Sequence, residues 1–278
     1  MGFQLWYSKQ TGIKRKGTSF SELQNIFTDN ITTKFIFEPL ACCKTGDNTD
    51  EVIQTLKQRN FDTLGVVNQD DIKIGYIKLQ DLGDNPIDTY IQNFDLNILI
   101  AESTPLSELI KILCDKEFVY VLSSDSIQGI VTRADINKPI VRIYLFGIIS
   151  LFELHLNYWI TDYHIEESWT KLLKDRRIES ARGIYDDRKG NNAQLTLLEC
   201  IQISDKKVIL RNTDNFLAKF DYSKKGFHQL LERSEKIRNE LAHSQTSIIA
   251  NLPWADFAST IQNIELFLKI SEAKVTEK

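Results

Sequence analysis

A chain of 278 residues, 42% of them hydrophobic and with only 12 Gly and 5 Pro, is long enough for two ordinary domains and too evenly composed to be a low-complexity or disordered segment. Its formal net charge of −4 argues against a general nucleic-acid coat, and four cysteines (Cys42, Cys43, Cys114, Cys200) without C-x-x-C spacing exclude a zinc ribbon or a dithiol redox centre. No long apolar run opens the chain and the cysteines read as reduced thiols, so the expectation is a cytoplasmic protein with no membrane span and no metal site.

Residues 1–30 read as an N-terminal extension. A basic cluster, Lys14, Arg15 and Lys16, precedes a short amphipathic run through Phe20, Leu23, Ile26 and Phe27, for which Ser19 or Ser21 is a candidate cap.

Residues 31–139 repeat themselves. A helix near Asp50 to Arg59 leads into Thr63-Leu64-Gly65-Val66-Val67, a polar turn and Gly75-Tyr76-Ile77-Lys78-Leu79-Gln80-Asp81; a helix near Leu106 to Asp115 leads into Phe118-Val119-Tyr120-Val121-Leu122, a polar turn and Gly129-Ile130-Val131-Thr132-Arg133-Ala134-Asp135. Helix, strand, turn, strand and closing Asp recur in the same order, with a period of about 54 residues. This organisation resembles a tandem pair of CBS domains, the cystathionine β-synthase modules that bind adenine nucleotides in the clefts between them. The resemblance implies that Thr132 and Asp135 hold a phosphate and the ribose hydroxyls, with the adenine against Leu99, Ile100 and Ala101. The first copy departs from the family pattern: Lys78 stands where a hydroxyl is expected, while Asp81 is retained. Lys78 could lend its charge to a neighbouring phosphate, or be a solvated edge-strand lysine. On their residue types alone, Thr132 and Asp135 also suit a helix cap and a turn.

Residues 140–278 change character. Asn137 and Pro139 signal a helix start, and helical patterns follow at roughly 140–160, 164–182, 192–203, 205–211, 223–243 and 254–272, with 186–192 the most loop-like stretch. The expected architecture is an all-α bundle. Ile140 to Ile160 is the most hydrophobic segment, but Arg142, Glu153, His155 and Asn157 within it favour a buried helix over a membrane span. Residues 1–140 hold 14 basic and 19 acidic groups and the rest 20 and 19, so the helical half is the more suited to an anionic partner.

The segment from Phe227 carries apolar residues at Phe227, Leu230, Leu231, Ile237 and Leu241 and ends in Arg238-Asn239-Glu240-Leu241-Ala242-His243. On a helix Asn239 and His243 share a face roughly 6 Å apart along the axis, whereas Arg238 points away from His243 unless the helix loosens or a second copy completes the site. An arginine that neutralises phosphate charge and a histidine that moves a proton near neutral pH are the ingredients of RNA cleavage without a metal. The alternative is a cation at a helix C-terminus. Arg-Asn-x-x-Ala-His closing a late helix resembles the signature of the HEPN superfamily, many of whose members are ribonucleases with sites formed across a dimer. That resemblance implies that Arg238, Asn239 and His243 act on RNA in a homodimer. His164, beside Asp162, Glu166 and Glu167, is a second candidate proton carrier, and His155 reads as a core residue.

The whole chain is therefore expected to be α+β, a tandem CBS-like α/β part followed by a HEPN-like helical bundle. The expected function is a nucleotide-regulated, metal-independent endoribonuclease of toxin or anti-phage type, with an adenine nucleotide as regulatory ligand and no catalytic cofactor. Two alternatives stand beside it. One is a non-catalytic sensor or scaffold, and the other is a toxin silenced by a partner nucleotidyltransferase acting as its antitoxin.

Overall fold

The computed structural model describes residues 19–191, 195–242, 247–249 and 252–276; His243, Asn192 and the cluster Lys14, Arg15 and Lys16 lie outside them. Two compact units emerge. Residues 31–138 form one, and the helices before and after it form the other.

In the α/β unit, each helix is fixed by its ends. In α2 (Thr49–Arg59), Asn48 accepts from the Asp50 and Glu51 N–H groups at 2.9 and 3.2 Å, Asp50 and Glu51 occupy the first turn, and Asn60 closes the helix at φ 53°. Val52 and Leu56 are its buried face. Helix α3 (Leu106–Asp115) starts after Pro105 and buries Leu106, Leu109, Ile110 and Leu113.

The seven strands are β1 (Glu38–Pro39), β2 (Cys42–Lys44), β3 (Thr63–Val67), β4 (Lys73–Lys78), β5 (Leu99–Ala101), β6 (Phe118–Ser123) and β7 (Ser126–Thr132). They form two sheets, ordered β2-β3-β4 and β1-β7-β6-β5. The duplication holds at the level of pairing. β2 runs parallel to β3 and β5 parallel to β6; β3–β4 and β6–β7 are antiparallel, and each hairpin has a register shift at the same place, after Val66 in the first and after Val121 in the second.

The two repeats also exchange their opening segments. Glu38, ahead of the first repeat, pairs with Ile130 in the last strand of the second, and Gln92, ahead of the second, pairs with Tyr76 in the last strand of the first. Two glycines permit this. A Cβ on Gly75 would lie 2.5 Å from the Gln92 carbonyl oxygen, and one on Gly129 would lie 2.6 Å from that of Glu38 and closer still to Phe37 Cδ2. The seam between the repeats is aromatic: Tyr120 stands 5.0 Å from both Tyr76 and Phe94, and its hydroxyl is 2.6 Å from Thr63 Oγ1.

The helical unit contains α1 (Phe20–Asp29), α4 (Pro139–Tyr163), α5 (Asp175–Lys189), α6 (Ile203–Arg211), α7 (Phe216–Lys219), α8 (Lys224–Ala242) and α9 (Trp254–Thr276). Ser19 caps α1 in a reciprocal box with Glu22, and Ser21 bonds Glu272 of α9. Helix α4 is the axis, packed against α1, α6, α8 and α9. It is the one described helix long and apolar enough to cross a membrane, and half of its most apolar window is buried in the unit. His155 in α4 is fully buried, with Nδ1 2.7 Å from Ser271 Oγ, which also accepts from Trp159 Nε1 at 2.6 Å; burial pushes its pKa down to about 3. Tyr144 hydrogen-bonds the buried Glu265.

Three sequence expectations need correction here. The helix expected at 164–182 is broken, because Glu166 and Glu167 are left-handed (φ 51° and 59°) and the chain makes a 3-10 turn, Ile165–Leu172, before α5 begins. In 192–203 the described residues make a short turn, Leu197–Cys200, capped by Thr196 and Glu199. The stretch 186–192 expected as a loop is helical through Lys189. Arg188 and Lys189 suit a helix C-terminus, and Lys189 reaches back over the Tyr185 ring at 4.5 Å.

Candidate functional site

Helix α8 buries Phe227, Leu230, Leu231, Ser234 and Ile237, which turns Arg238 toward α4 and α6. The Arg238 side chain is 51% exposed; its Nε lies 3.8 Å from Glu153 Oε1, and its Nη1 donates to Asn239 Oδ1 at 3.3 Å. Glu153, on α4, uses its other oxygen on Lys206 of α6, at 3.2 Å. The Lys206 side chain is only 3% exposed, and burial pushes its pKa down against the pull of Glu153. Arg142, near the start of α4, donates to the Glu240 carbonyl in the last turn of α8 at 3.3 Å.

Three helices therefore bring three cations, Arg142, Lys206 and Arg238, to the end of α8 that leads into His243, with the Glu153 carboxylate between two of them. Glu199 adds a second acidic charge near Lys206, so the group left open to an anion is the half-exposed Arg238 guanidinium. The sequence pattern brought forward Arg238 and Asn239, and the structure joins them. Glu153, Lys206 and Arg142 were missed. The available signal was Lys206 at the i+3 position between buried Ile203 and Leu210, and a carboxylate within the most apolar helix; each charge needs a partner, and each is the other's. His164 stands elsewhere in the bundle, with Nε2 2.8 Å from Thr213 Oγ1 and a pKa lowered by burial.

In the α/β unit, Thr132 caps the turn after β7. Its N–H and hydroxyl donate to Asp135 Oδ2 at 2.7 and 3.0 Å, and the Ala134 N–H donates to Thr132 Oγ1 at 3.2 Å. The other Asp135 oxygen meets the Lys138 ammonium at 2.9 Å, and Lys138 also meets Glu38 at 2.5 Å. Burial works against this ammonium, but Glu38 and Asp135 more than offset it and raise its pKa. A ribose at Asp135 must therefore share the carboxylate with Lys138.

The first repeat carries a neutral version of the same link, Gln92 Nε2 donating to Asp81 Oδ2 at 2.7 Å. Lys78 lies 5.8 Å from the ring centres of both Tyr76 and Phe118, at the seam, where Phe118 is the partner of Thr132 across β6–β7. Ile100 and Ala101 sit on the edge strand β5, half-buried and exposed respectively, opposite Val121 and Leu122. Among the described residues, no three His, Cys, Asp or Glu side chains gather as metal ligands.

No family model matches the chain, and no curated protein does. Solved structures similar to it are CBS-domain proteins that cover about two fifths of its length. One is the CBS-domain structure of a transcriptional regulator from Streptococcus pneumoniae, 22% identical, covering 39% of this chain and 98% of that one, with a TM-score of 0.34. Another is CBSX2 in complex with AMP, at 16% identity, 40% and 97% coverage and a TM-score of 0.35. A third is CbpB in complex with c-di-AMP, at 21% identity, 43% and 89% coverage and a TM-score of 0.35.

Proposed function

We propose that the chain is a nucleotide-regulated endoribonuclease, in which the duplicated α/β unit senses an adenine nucleotide and the helical unit cuts RNA as a homodimer. The observation that carries this reading is the setting of Arg238, half-exposed at the end of α8, held by Glu153 and backed by buried Lys206. Arg238 receives the phosphate and Asn239 orients it. His243 takes the proton of the ribose 2′-hydroxyl, the 2′-oxygen attacks phosphorus, and the bond to the 5′-oxygen breaks as that oxygen takes a proton from water, His243 later returning its own to solvent. The products are a 2′,3′-cyclic phosphate and a 5′-hydroxyl. Regulation requires that the nucleotide bind one arrangement of the dimer better than another.

The test is cleavage of total RNA and tRNA in the presence of a chelator by wild type, His243→Ala and Arg238→Ala, each with and without a nucleotide panel. AMP and cyclic di-AMP, the ligands held by two of the similar structures, begin the panel. Cutting that is lost in both variants and altered by one nucleotide supports the reading. Equal background in all three proteins, with a nucleotide still bound, leaves a non-catalytic sensor, which the ion pair of Arg238 with Glu153 also suits.

A further inference from the structure

Lys206 and Lys207 are neighbours on α6, and their side chains leave the helix about 100° apart. Lys206 turns inward to Glu153, while Lys207 lies on the outer side of the helix with Val208 and Arg211. Two concavities meet there. One, of about 320 Å³, is lined by Lys207, Val208, Arg211, Asn212 and His228 of α8. The other, of about 400 Å³, shares Lys207 and Val208 and extends to Lys174 and Arg177 at the start of α5.

Arg177 is matched by Asp205 and, at longer range, by Glu235, which leaves the other cations of the groove to be accounted for. Asp205 is taken by Arg177 in a bidentate pair at 2.7 Å on both oxygens, and Glu232 is divided between His228 and Lys236, at 3.5 Å each. Lys174, Lys207 and Arg211 form no ion pair among the described residues. Val208 is 38% exposed between the two concavities, and His228 Nδ1 makes no hydrogen bond among the described residues. Lys207 and Arg211 are one helical turn apart, about 6 Å along the axis, a spacing suited to successive phosphates of an extended strand. A cationic track broken by an apolar platform and an imidazole ring is the chemistry that receives unpaired nucleotides by charge and base contact. The track flanks α8, whose other end carries Arg238.

We propose that the groove on the outer side of α6, from Lys174 past Lys207 and Arg211 to His228, binds the phosphodiester chain of single-stranded RNA and leads it to Arg238. This deepens the ribonuclease reading and rests on it for the direction of the strand.

The test measures binding rather than cutting. A fluorescent single-stranded RNA is titrated by anisotropy with full-length His243→Ala protein, alone and carrying Lys207→Glu with Arg211→Glu, Lys207→Gln with Arg211→Gln, or Lys269→Glu on α9 as a surface control. The Glu pair is expected to weaken binding at least tenfold and the Gln pair several-fold, with the control unchanged. The Gln pair should also flatten the dependence of log affinity on log salt by about 1.4, or 0.7 for each of two phosphates no longer neutralised. Affinity unchanged in both double variants overturns the groove, even if Arg238→Ala abolishes cleavage. Displacement of the RNA by a polyglutamate peptide at equal charge concentration overturns its assignment to RNA. If the wild type never cuts RNA and the groove variants still lose binding, the nuclease falls and the groove stands.

Discussion

Lys206 and Glu153 meet at 3.2 Å across the α4–α6 contact, but the two sides are unequally solvated: the lysine side chain is 3% exposed and the glutamate 25%. Removing the carboxylate leaves a buried ammonium without its partner, whereas removing the ammonium leaves Glu153 with Arg238 and water. Glu153→Gln is therefore expected to destabilise the protein by about 3 kcal/mol. Lys206→Met should cost about 1 kcal/mol, with the double variant lying between the two. Denaturant unfolding of the four proteins checks the order.

Two buried bases set opposite ends of the pH–stability curve. His155 has a folded pKa of about 3, below its unfolded value of 6.5, so its contribution is complete above pH 6.5 and is lost as pH falls toward 3. Burial also lowers Lys206 from 10.5, with Glu153 and Glu199 opposing the shift and Arg238 adding to it. The folded protein releases this proton first, so stability rises with pH as 10.5 is approached. Melting temperatures across pH should show a shallower acid limb in His155→Gln and, because the gain from Lys206 toward pH 10.5 is lost, a steeper alkaline fall in Lys206→Met.

Gly75→Ala and Gly129→Ala place a methyl group against the carbonyl that each glycine faces, at 2.5 and 2.6 Å. Each is expected to cost about 1–3 kcal/mol. Gly183→Ala, with nothing within 4 Å and a helical position, is expected to be neutral or stabilising by about 0.5 kcal/mol. Thermal unfolding followed by circular dichroism separates these outcomes.

Lys138 competes for the carboxylate that a ribose would use. Lys138→Met is expected to tighten AMP binding several-fold and Asp135→Asn to weaken it at least tenfold, both read by calorimetry. The reverse order would remove Asp135 from the binding site and leave it as the partner of the Thr132 cap.

Much of this was legible in the sequence because it is local or periodic. Gly75 and Gly129, Asp81 and Asp135, and the two helix-to-hairpin runs announce the duplication by spacing alone, and the buried stripe of α8 follows from Phe227, Leu230, Leu231 and Ile237. The illegible parts are tertiary. Nothing near Glu166 and Glu167 in the chain marks two left-handed residues, since those types favour a helix and the surrounding contacts override them. Glu153 and Lys206 are 53 residues apart, and Glu38 and Gln92 each serve the repeat they do not belong to; such pairings are decided between segments that only the folded chain brings together.

The exchange of opening segments has a consequence for what counts as the smallest folding piece. A chain cut between the two repeats keeps every strand pairing described above, because each fragment still holds the segment that the other requires; the halves should reassociate when mixed. A repeat made alone lacks the segment that pairs with its last strand and carries a segment with nowhere to bind. It would find both needs met only in a second copy of itself.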